Sequence, residues 1–495
     1  MNSYSFRIVL GLLLIVPGLP VQADESRTLL NDLHSRLNPT AVLAVFYPQD
    51  TNDVIDLVER ANNENVPLSI SGSMHSMGGQ QFGTDTLHLN MSKMDDVLAF
   101  DRENGVITVE AGIQWPKLIA YLVESGEGAE AAWGIVQKQT GADSLSIGGA
   151  LSSNIHGRGL ALQPIVQDVV ALRLVTASGR EIELSRDLNP KLFSLVVGGY
   201  GLFGVITSVD LQLSQRIKLR RHVDIIPLSS FAGEIRERIA DGHLYGDLQF
   251  KTDEAADDFL QTGVFSTYEP VAPDTPMPDR QRKLSSDAWH QLLALAHLDK
   301  SQAYTEYSRY YLSTDGQLYW SDTHQLGYYD HNYDDFLRAA LPDYAPGSLM
   351  ISEVYVPLPR LVDFMQAVAE DIRKHGTELI YGTIRLIRKD TETFLPWAKQ
   401  DYACVVVNFR VSHSDRGLKK AQTEFRRLID RALERDGSYF LTYHRWARKD
   451  QVLAAYPQFP EFLKLKLQYD PDERFQSDWY RHYKEMFSVE PGNDR

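Results

Sequence analysis

His75 sits in the middle of a run of small residues, Ser71-Gly72-Ser73-Met74-His75-Ser76-Met77-Gly78-Gly79, which follows the apolar stretch Val66 to Ile70. Small side chains let successive backbone N–H groups turn inward and approach a polyanion closely. A second stretch, Leu145 to Gly159 (LSIGGALSSNIHGRG), has a similar character. Ser146, Gly148, Gly149, Ser152, Ser153 and Asn154 are small or polar there, and His156-Gly157 closes it. Amides in such a stretch can press against a flat ring system and hydrogen-bond its polar edge. Both stretches also have ordinary readings: a plain turn for the first, a helix start with a packed glycine pair for the second.

The surrounding elements must aim both loops at one place. Residues 40 to 70 read as β-α-β. Ala41 to Tyr47 is a strand, Asp50 or Thr51 caps a helix, and Val54, Leu57, Val58 and Ala61 share one helical face. Asn104 to Gly112 is a further strand, and Trp115 to Ser125 a helix with Pro116 in its first turn and Gly126 beyond its end. Val166 to Thr176 and Gly179 to Leu184 form a hairpin. Pro190 starts a helix ending at Gly198-Gly199, and Gly204-Val205-Ile206 enters a strand.

From about Arg216 the pattern changes. Arg216 to Leu228 alternates as a strand, Ser229 to Asp241 is helical, and strands follow near 244–251 and 258–266. Pro270 to Pro278 marks a surface loop. Residues 285 to 335 are helical and then rich in tyrosine, which more often signals packing than a cofactor site. Strands 347–356, 378–387, 402–411 and 438–445, with helices 359–375 and 417–435, spell β-α-β-β-α-β, a split ferredoxin-like unit. Its helices would cover one sheet face and leave the other free to roof a cofactor, and the 216–266 half would extend the same sheet.

The His75 loop resembles the pyrophosphate loop of the vanillyl-alcohol oxidase / p-cresol methylhydroxylase (PCMH) family of FAD enzymes. The likeness takes in Leu145 to Gly159, Leu192 to Thr207 and Tyr456 to Asp478, in family order. The last block is most similar to the sugar-oxidising branch: alditol oxidase, the aldonolactone oxidases and decaprenylphosphoryl-ribose oxidase. The resemblance implies an α+β fold with a two-part FAD-binding domain, residues 24–215 and a returning segment 446–495, around an antiparallel-sheet substrate cap at 216–445. FAD would be held by Ser71, Gly72, Ser73, Met74, His75, Ser76, Gly79, Gly141, Ser146, Gly148, Gly149, Ser152, Asn154, His156, Val205 and Ile206. In many members a histidine at the His75 position is bonded to the flavin 8-methyl group, so a covalent link through His75 is expected. Some relatives add a cysteinyl bond near the region of Gly141 to Ser146; no cysteine lies there.

On the cap, Thr383-Ile384-Arg385 resembles the Glu-Ile-Arg stretch of alditol oxidase, whose arginine faces the reactive ring. Arg385 would stabilise negative charge as flavin is reduced. Thr383 departs from the family's glutamate, and Glu353 on a neighbouring strand is the candidate to replace it. Sugar-oxidising relatives carry a lysine about a dozen residues before the Tyr-Pro of the closing segment. Counting back from Tyr456-Pro457 lands on Tyr443, followed by His444. Tyr443, with an unperturbed pKa near ~10, needs a positive neighbour to act as base; His444, near ~6.5, needs none. As strand neighbours they would point to opposite faces, leaving one of the two at the flavin. Failing both, Asn408 and Arg410 mark where to look.

A chain of 495 residues has room for two or three domains. Its net charge of −16 argues against nucleic acid or an anionic membrane surface as partner. Residues 1 to 23 read as a secretory signal, with Arg7 before the apolar run Ile8 to Leu19 and Val21-Gln22-Ala23 at the cleavage site. The expected location is periplasmic or secreted, with no membrane span after cleavage. The single cysteine, Cys404, precludes an intramolecular disulfide and lies in an apolar strand pattern as an inert core residue. Gly199 to Gly204 spells G-x-G-x-x-G but precedes a strand, which argues against a Rossmann domain. HExxH, CxxC and G-x-S-x-G are absent from the sequence, and no metal is expected.

The expected function is an FAD-dependent oxidoreductase acting on a small molecule. It would oxidise a CH–OH group of a sugar, polyol or sugar lactone by hydride transfer to flavin N5, with O2 or another acceptor taking the electrons. The alternatives are an aromatic or other secondary-metabolite alcohol as donor, and a secreted flavin-fold binding protein without catalysis.

Overall fold

The structure, a computed structural model, describes residues 27–128, 132–327, 333–340 and 345–488. The signal segment expected at residues 1–23 lies outside them.

Strand β1 (Ala44–Phe46) leads into helix α1 (Thr51–Glu64). Asp50 caps that helix, its carboxylate accepting from Asp53 N–H at 3.0 Å, while Val54, Val58 and Ala61 bury one face. Asn65 ends it in the left-handed region (φ 53°) and turns the chain into β2 (Leu68–Ser71). Both strands run parallel to β3 (Leu87–Asn90), which stands between them. The sequence reading has no strand at β3, whose buried His88 bridges Ser69 and Ser71 of β2, each hydroxyl 2.8 Å from a ring nitrogen. Burial pulls His88 down to about 3, so it stays neutral there.

A second sheet follows. It contains β4 (Val97–Asp101), β5 (Val106–Glu110), β6 (Val169–Val175), β7 (Glu181–Ser185) and β8 (Val205–Gln212), antiparallel in the order β7-β6-β8-β5-β4. Helices α2 (Trp115–Ser125), α3 (Ile147–Ser153) and α4 (Pro190–Val196) connect these strands. The hairpin, the Trp115–Ser125 helix and the strand entered at Val205 stand as read from sequence.

The cap is one eight-stranded antiparallel sheet built from two halves. The first is β9 (Lys218–Pro227), α5 (Leu228–Ala240), β10 (Tyr245–Phe250), β11 (Thr262–Pro270), α6 (Ser286–Leu298), α7 (Lys300–Leu312) and β12 (Leu318–Trp320). The second is β13 (Gly347–Val356), α8 (Leu361–His375), β14 (Leu379–Ile387), β15 (Tyr402–Ser412), α9 (Asp415–Leu433) and β16 (Ser438–Tyr439). The order β12-β9-β11-β10-β14-β15-β13-β16 repeats the ferredoxin-like arrangement in each half and joins the halves through β10 and β14. The expected extension of the sheet is present, and the first half completes its own β-α-β-β-α-β, with two helices in its second crossover.

Helix α9 buries Ala421, Phe425, Leu428, Ile429 and Ala432, with Ser414 as its N-cap. A side chain such as Phe425, fully buried, contributes about 1.5–3 kcal/mol by leaving water. Among the described residues, neither α8 nor α9 lines the cavity described below, as expected of helices on the far face, whereas α6 and α7 of the first half do line it.

Two strand readings are corrected. The strand expected near 258–266 begins at Thr262, because Phe259 and Leu260 bury themselves in a preceding turn where Leu260 has φ 58°. The strand expected over 438–445 stops at Tyr439. Phe440 N–H still reaches Glu353 O (3.0 Å), but Thr442 is drawn off by tertiary bonds from Gln80 Nε2 to its carbonyl (2.8 Å) and hydroxyl (2.9 Å). Residues 449–488 return to the first sheet, where Phe475 bridges Leu68 in parallel.

Candidate active site

A cavity of about 550 Å³ lies between the loop after β2, the start of α3 and one face of the cap sheet. Ser71, Gly72, Ser73, Met74, His75 and Ser76 line it, as do Gly141, Ser146, Gly148, Gly149, Ser152 and Ile206. The loop is held from outside. Met74, at φ 54°, gives its carbonyl to Leu33 N–H (2.9 Å), and Asn38 Nδ2 donates to Met77 O (2.8 Å). The second stretch has a place both in packing and at the cavity. It starts helix α3, where a Cβ on Gly148 would come within 2.8 Å of Ala111 Cβ, and its small residues also face the cavity.

Four residues assigned to the cofactor lie off the cavity. Gly79 packs against Asn38 and Arg445. Asn154 ends α3 at φ 50° and donates to Asp390 Oδ2 at 2.9 Å. Val205 is buried in a core with Val175 and Phe475. His156 is buried beside Glu353. Their types fit a cofactor loop, but each is taken up by packing or by a partner elsewhere.

Strand register assembles the cap side of the site. Gln249 faces Thr383, Thr383 faces Val406 and Val406 faces Glu353, one row across β10, β14, β15 and β13. The adjacent row holds Tyr381, Asn408 and Ile351, and the next pairs Arg385 with Cys404. Side chains two residues apart share a face, so Tyr381, Thr383 and Arg385 point together. Arg385, Asn408 and Tyr443 line the cavity. Glu353 is not on the strand next to Arg385, as the sequence reading has it, because β15 runs between them.

Glu353, 2% exposed, receives the Tyr443 hydroxyl at Oε2 (3.2 Å) and His156 Nε2 at Oε1. His156 Nδ1 faces the Gly157 carbonyl at 2.9 Å, which can only accept, so Nδ1 carries a hydrogen. One further proton is then shared between Nε2 and the carboxylate. Burial pushes Glu353 up, but the charges of His156 and Arg385, with the bonds from His156 and Tyr443, hold it below the ordinary carboxylate range. Burial, then the Glu353 charge, pushes Tyr443 well above an ordinary phenol, so it keeps its proton and is no free phenolate.

His444 does not line the cavity. Its ring packs on Phe425 (4.4 Å) and Trp446 (5.5 Å), and burial lowers it to about 3. It and Tyr443 lie beyond the end of β16, so strand alternation does not separate them; packing does. Cys404 is buried, as expected.

Sequence reasoning missed Arg158, Asp247, Gln249 and the α7 tyrosines Tyr304, Tyr307 and Tyr311, all of which line the cavity. The spacing of those tyrosines, three then four, places them on one helical face. That was the available signal.

The family model described as an FAD binding domain matches residues 42–185. The L-galactono-1,4-lactone dehydrogenase of Arabidopsis thaliana is 32% identical over 175 residues, 35% of this chain and 27% of that protein. The L-gulonolactone oxidase of Bos taurus is 31% identical over 176 residues, 35% of this chain and 38% of its own length. Cytokinin dehydrogenase 2 of Arabidopsis thaliana is 26% identical over 364 residues, 69% of each chain. The chain spans only about a third of the length of the galactonolactone dehydrogenases it matches.

The residues present fit FAD. At Gly141 (φ 94°) an added Cβ would meet nothing within 4 Å, and at Gly149 only Ser146 Oγ at 3.1 Å, so at both a side chain would take up cavity space. Among the described residues, Thr140 Oγ1, Arg385 Nε and Asn408 Oδ1 are buried polar atoms of the lining without a hydrogen-bond partner. A polar, flat ligand would supply both the volume and the partners.

Proposed function

We propose, taking residues 42–185 as an FAD-binding domain of the PCMH type, that this protein is an FAD-linked oxidoreductase removing hydride from a carbon that bears a hydroxyl. The Ser71–Ser76 loop and the small residues from Gly141 to Ser152 would hold the cofactor, with His75 as its point of covalent attachment. When bound, FAD accepts the hydride and passes the electrons to O2 or another acceptor.

The observation carrying this reading is the chain Tyr443–Glu353–His156, which begins in the cavity and ends in the core. Tyr443 is a relay. As the donor hydroxyl gives its proton to Tyr443 Oη, the phenolic proton moves to Glu353 Oε2. Glu353 stays ionised at neutral pH, and His156 fixes its orientation. Arg385, whose charge acts on both Glu353 and Tyr443, offsets negative charge that builds up in the cavity during reaction.

Relatives named as lactone dehydrogenases and oxidases match the chain, which makes sugar lactones one donor class to test. Export belongs to the same proposal and is supported by the composition of residues 1–23. The test is oxygen-free addition of lactones, polyols and alcohols to the yellow protein, followed by its visible spectrum. Bleaching by a donor is expected; a folded protein that is colourless, or stays yellow with every donor class, would sink the reading.

A further inference from the structure

We propose that the donor carries its reactive hydroxyl on an apolar, ring-sized body seated against the α6–α7 hairpin, and is not itself a polyhydroxylated sugar. The CH–OH reading above supplies the reacting end; the body is read from the walls.

Helix α6 turns Trp289, Leu292, Leu293 and Ala296 into the cavity, a spacing of three, one and three residues that forms a single helical stripe. The protein covers this stripe only in part: Leu292, Leu293 and Ala296 are half-buried and line the open cavity. Its apolar face looks into the cavity, and a ligand is what would cover it. Helix α7 adds Tyr304, Tyr307 and Tyr311, and Leu349 and Ile380 line the same space from the sheet.

The polar groups among these walls are mostly engaged within the protein. Tyr307 Oη bonds Gln249, Thr383 Oγ1 bonds Asp247 (3.1 Å), Thr252 Oγ1 bonds Ile380 O (3.2 Å), and Ser348 Oγ pairs with His413 (3.0 Å). A sugar with a hydroxyl on every carbon needs a partner for each one, and those buried without partners cost affinity. On the hairpin Tyr304 Oη is a buried polar atom without a hydrogen-bond partner among the described residues. It suits one hydroxyl or carbonyl at the far end of an otherwise apolar donor.

The test uses the FAD-loaded protein without oxygen and two probes, 2-naphthalenemethanol and L-galactono-1,4-lactone. Binding is read by titration calorimetry, reaction separately by bleaching. The naphthyl alcohol should bind at least tenfold more tightly. Leu293→Ser should cut that preference below threefold. Tyr304→Phe, a milder change that keeps the ring, should abolish the extra affinity of the 6-hydroxy derivative over its parent. Lactone binding as tight as that of the naphthyl alcohol overturns the inference, whatever bleaches. Tight naphthyl binding with no bleaching by any donor supports it and overturns the CH–OH reading instead.

Discussion

Tyr443 Oη stands 3.2 Å from Glu353 Oε2, joining the segment beyond β16 to the middle of β13. The bond separates two jobs that one residue does in a simple base. In the proposed reaction Tyr443 would meet the donor, and Glu353, out of the cavity lining, would receive the proton.

Tyr443→Phe should therefore slow reduction of the bound cofactor by roughly 10²-fold, the scale of a lost proton acceptor. Stopped-flow bleaching without oxygen measures this. An unchanged rate would place proton transfer elsewhere in the cavity, with Asn408 the next residue to replace.

Glu353→Gln should lower stability in a pH-dependent way. A carboxyl held below its unfolded value, ~4.3, contributes stability above that pH and loses it as pH falls through the folded value. The melting temperature of the variant should lie well below wild type at pH 7 and approach it near pH 3. Breaking such a buried pair costs about 3–5 kcal/mol. A deficit equal at both pH values would contradict the assignment of charge to Glu353.

Arg385→Ala should slow reduction at least tenfold, about 1.4 kcal/mol of barrier. Arg385→Lys should recover only part, since ammonium lacks the planar fork. Equal rates in all three proteins would remove Arg385 from the reaction.

His75→Ala tests the covalent bond proposed at that residue. Acid-precipitated wild type should hold its yellow colour in the pellet, and the variant should release it. Wild-type colour found wholly in the supernatant rules the bond out.

Asp168 offers a prediction of opposite sign. Burial pushes its carboxyl up to about 7, although Gln137 Nε2 donates to it at 3.0 Å. A group raised in this way has its stabilising share intact below the unfolded value, ~3.9, and loses it as pH rises through about 7. Asp168→Asn should thus be more stable than wild type at pH 8, by up to roughly 4 kcal/mol (about three units at 1.36 each), with the gap closing toward pH 4. Melting curves across that range decide it.

Much of this fold could be read because local rules and packing agree. The capped helix at Asp50, the Pro116 helix start and the strand from Gly347 each carry their signal within a few residues. The loop at His75 was legible for the same reason. What was hidden depends on partners far along the chain. Thr442 leaves the sheet because Gln80 binds it, and His444 turns into the core because Phe425 and Trp446 receive its ring. The bond that holds His156 comes from Glu353, 197 residues away, which no local pattern shows. The α7 tyrosines read as packing in the sequence, because composition alone does not say that the space beside a helix is empty.

The bridge from Phe475 to Leu68 has a bearing on how the molecule is made. β2, which presents the His75 loop, has β3 on one side and a segment some 400 residues later on the other, with Arg474 Nε also bonded to Asn62, 412 positions back. A ribosome adding 5–20 residues per second needs roughly 20 to 80 s to supply that segment. Until then one edge of β2 is open to pairing with other chains. The loop is therefore finished last although it is translated early, and a firm grip on the nucleotide belongs to the end of folding.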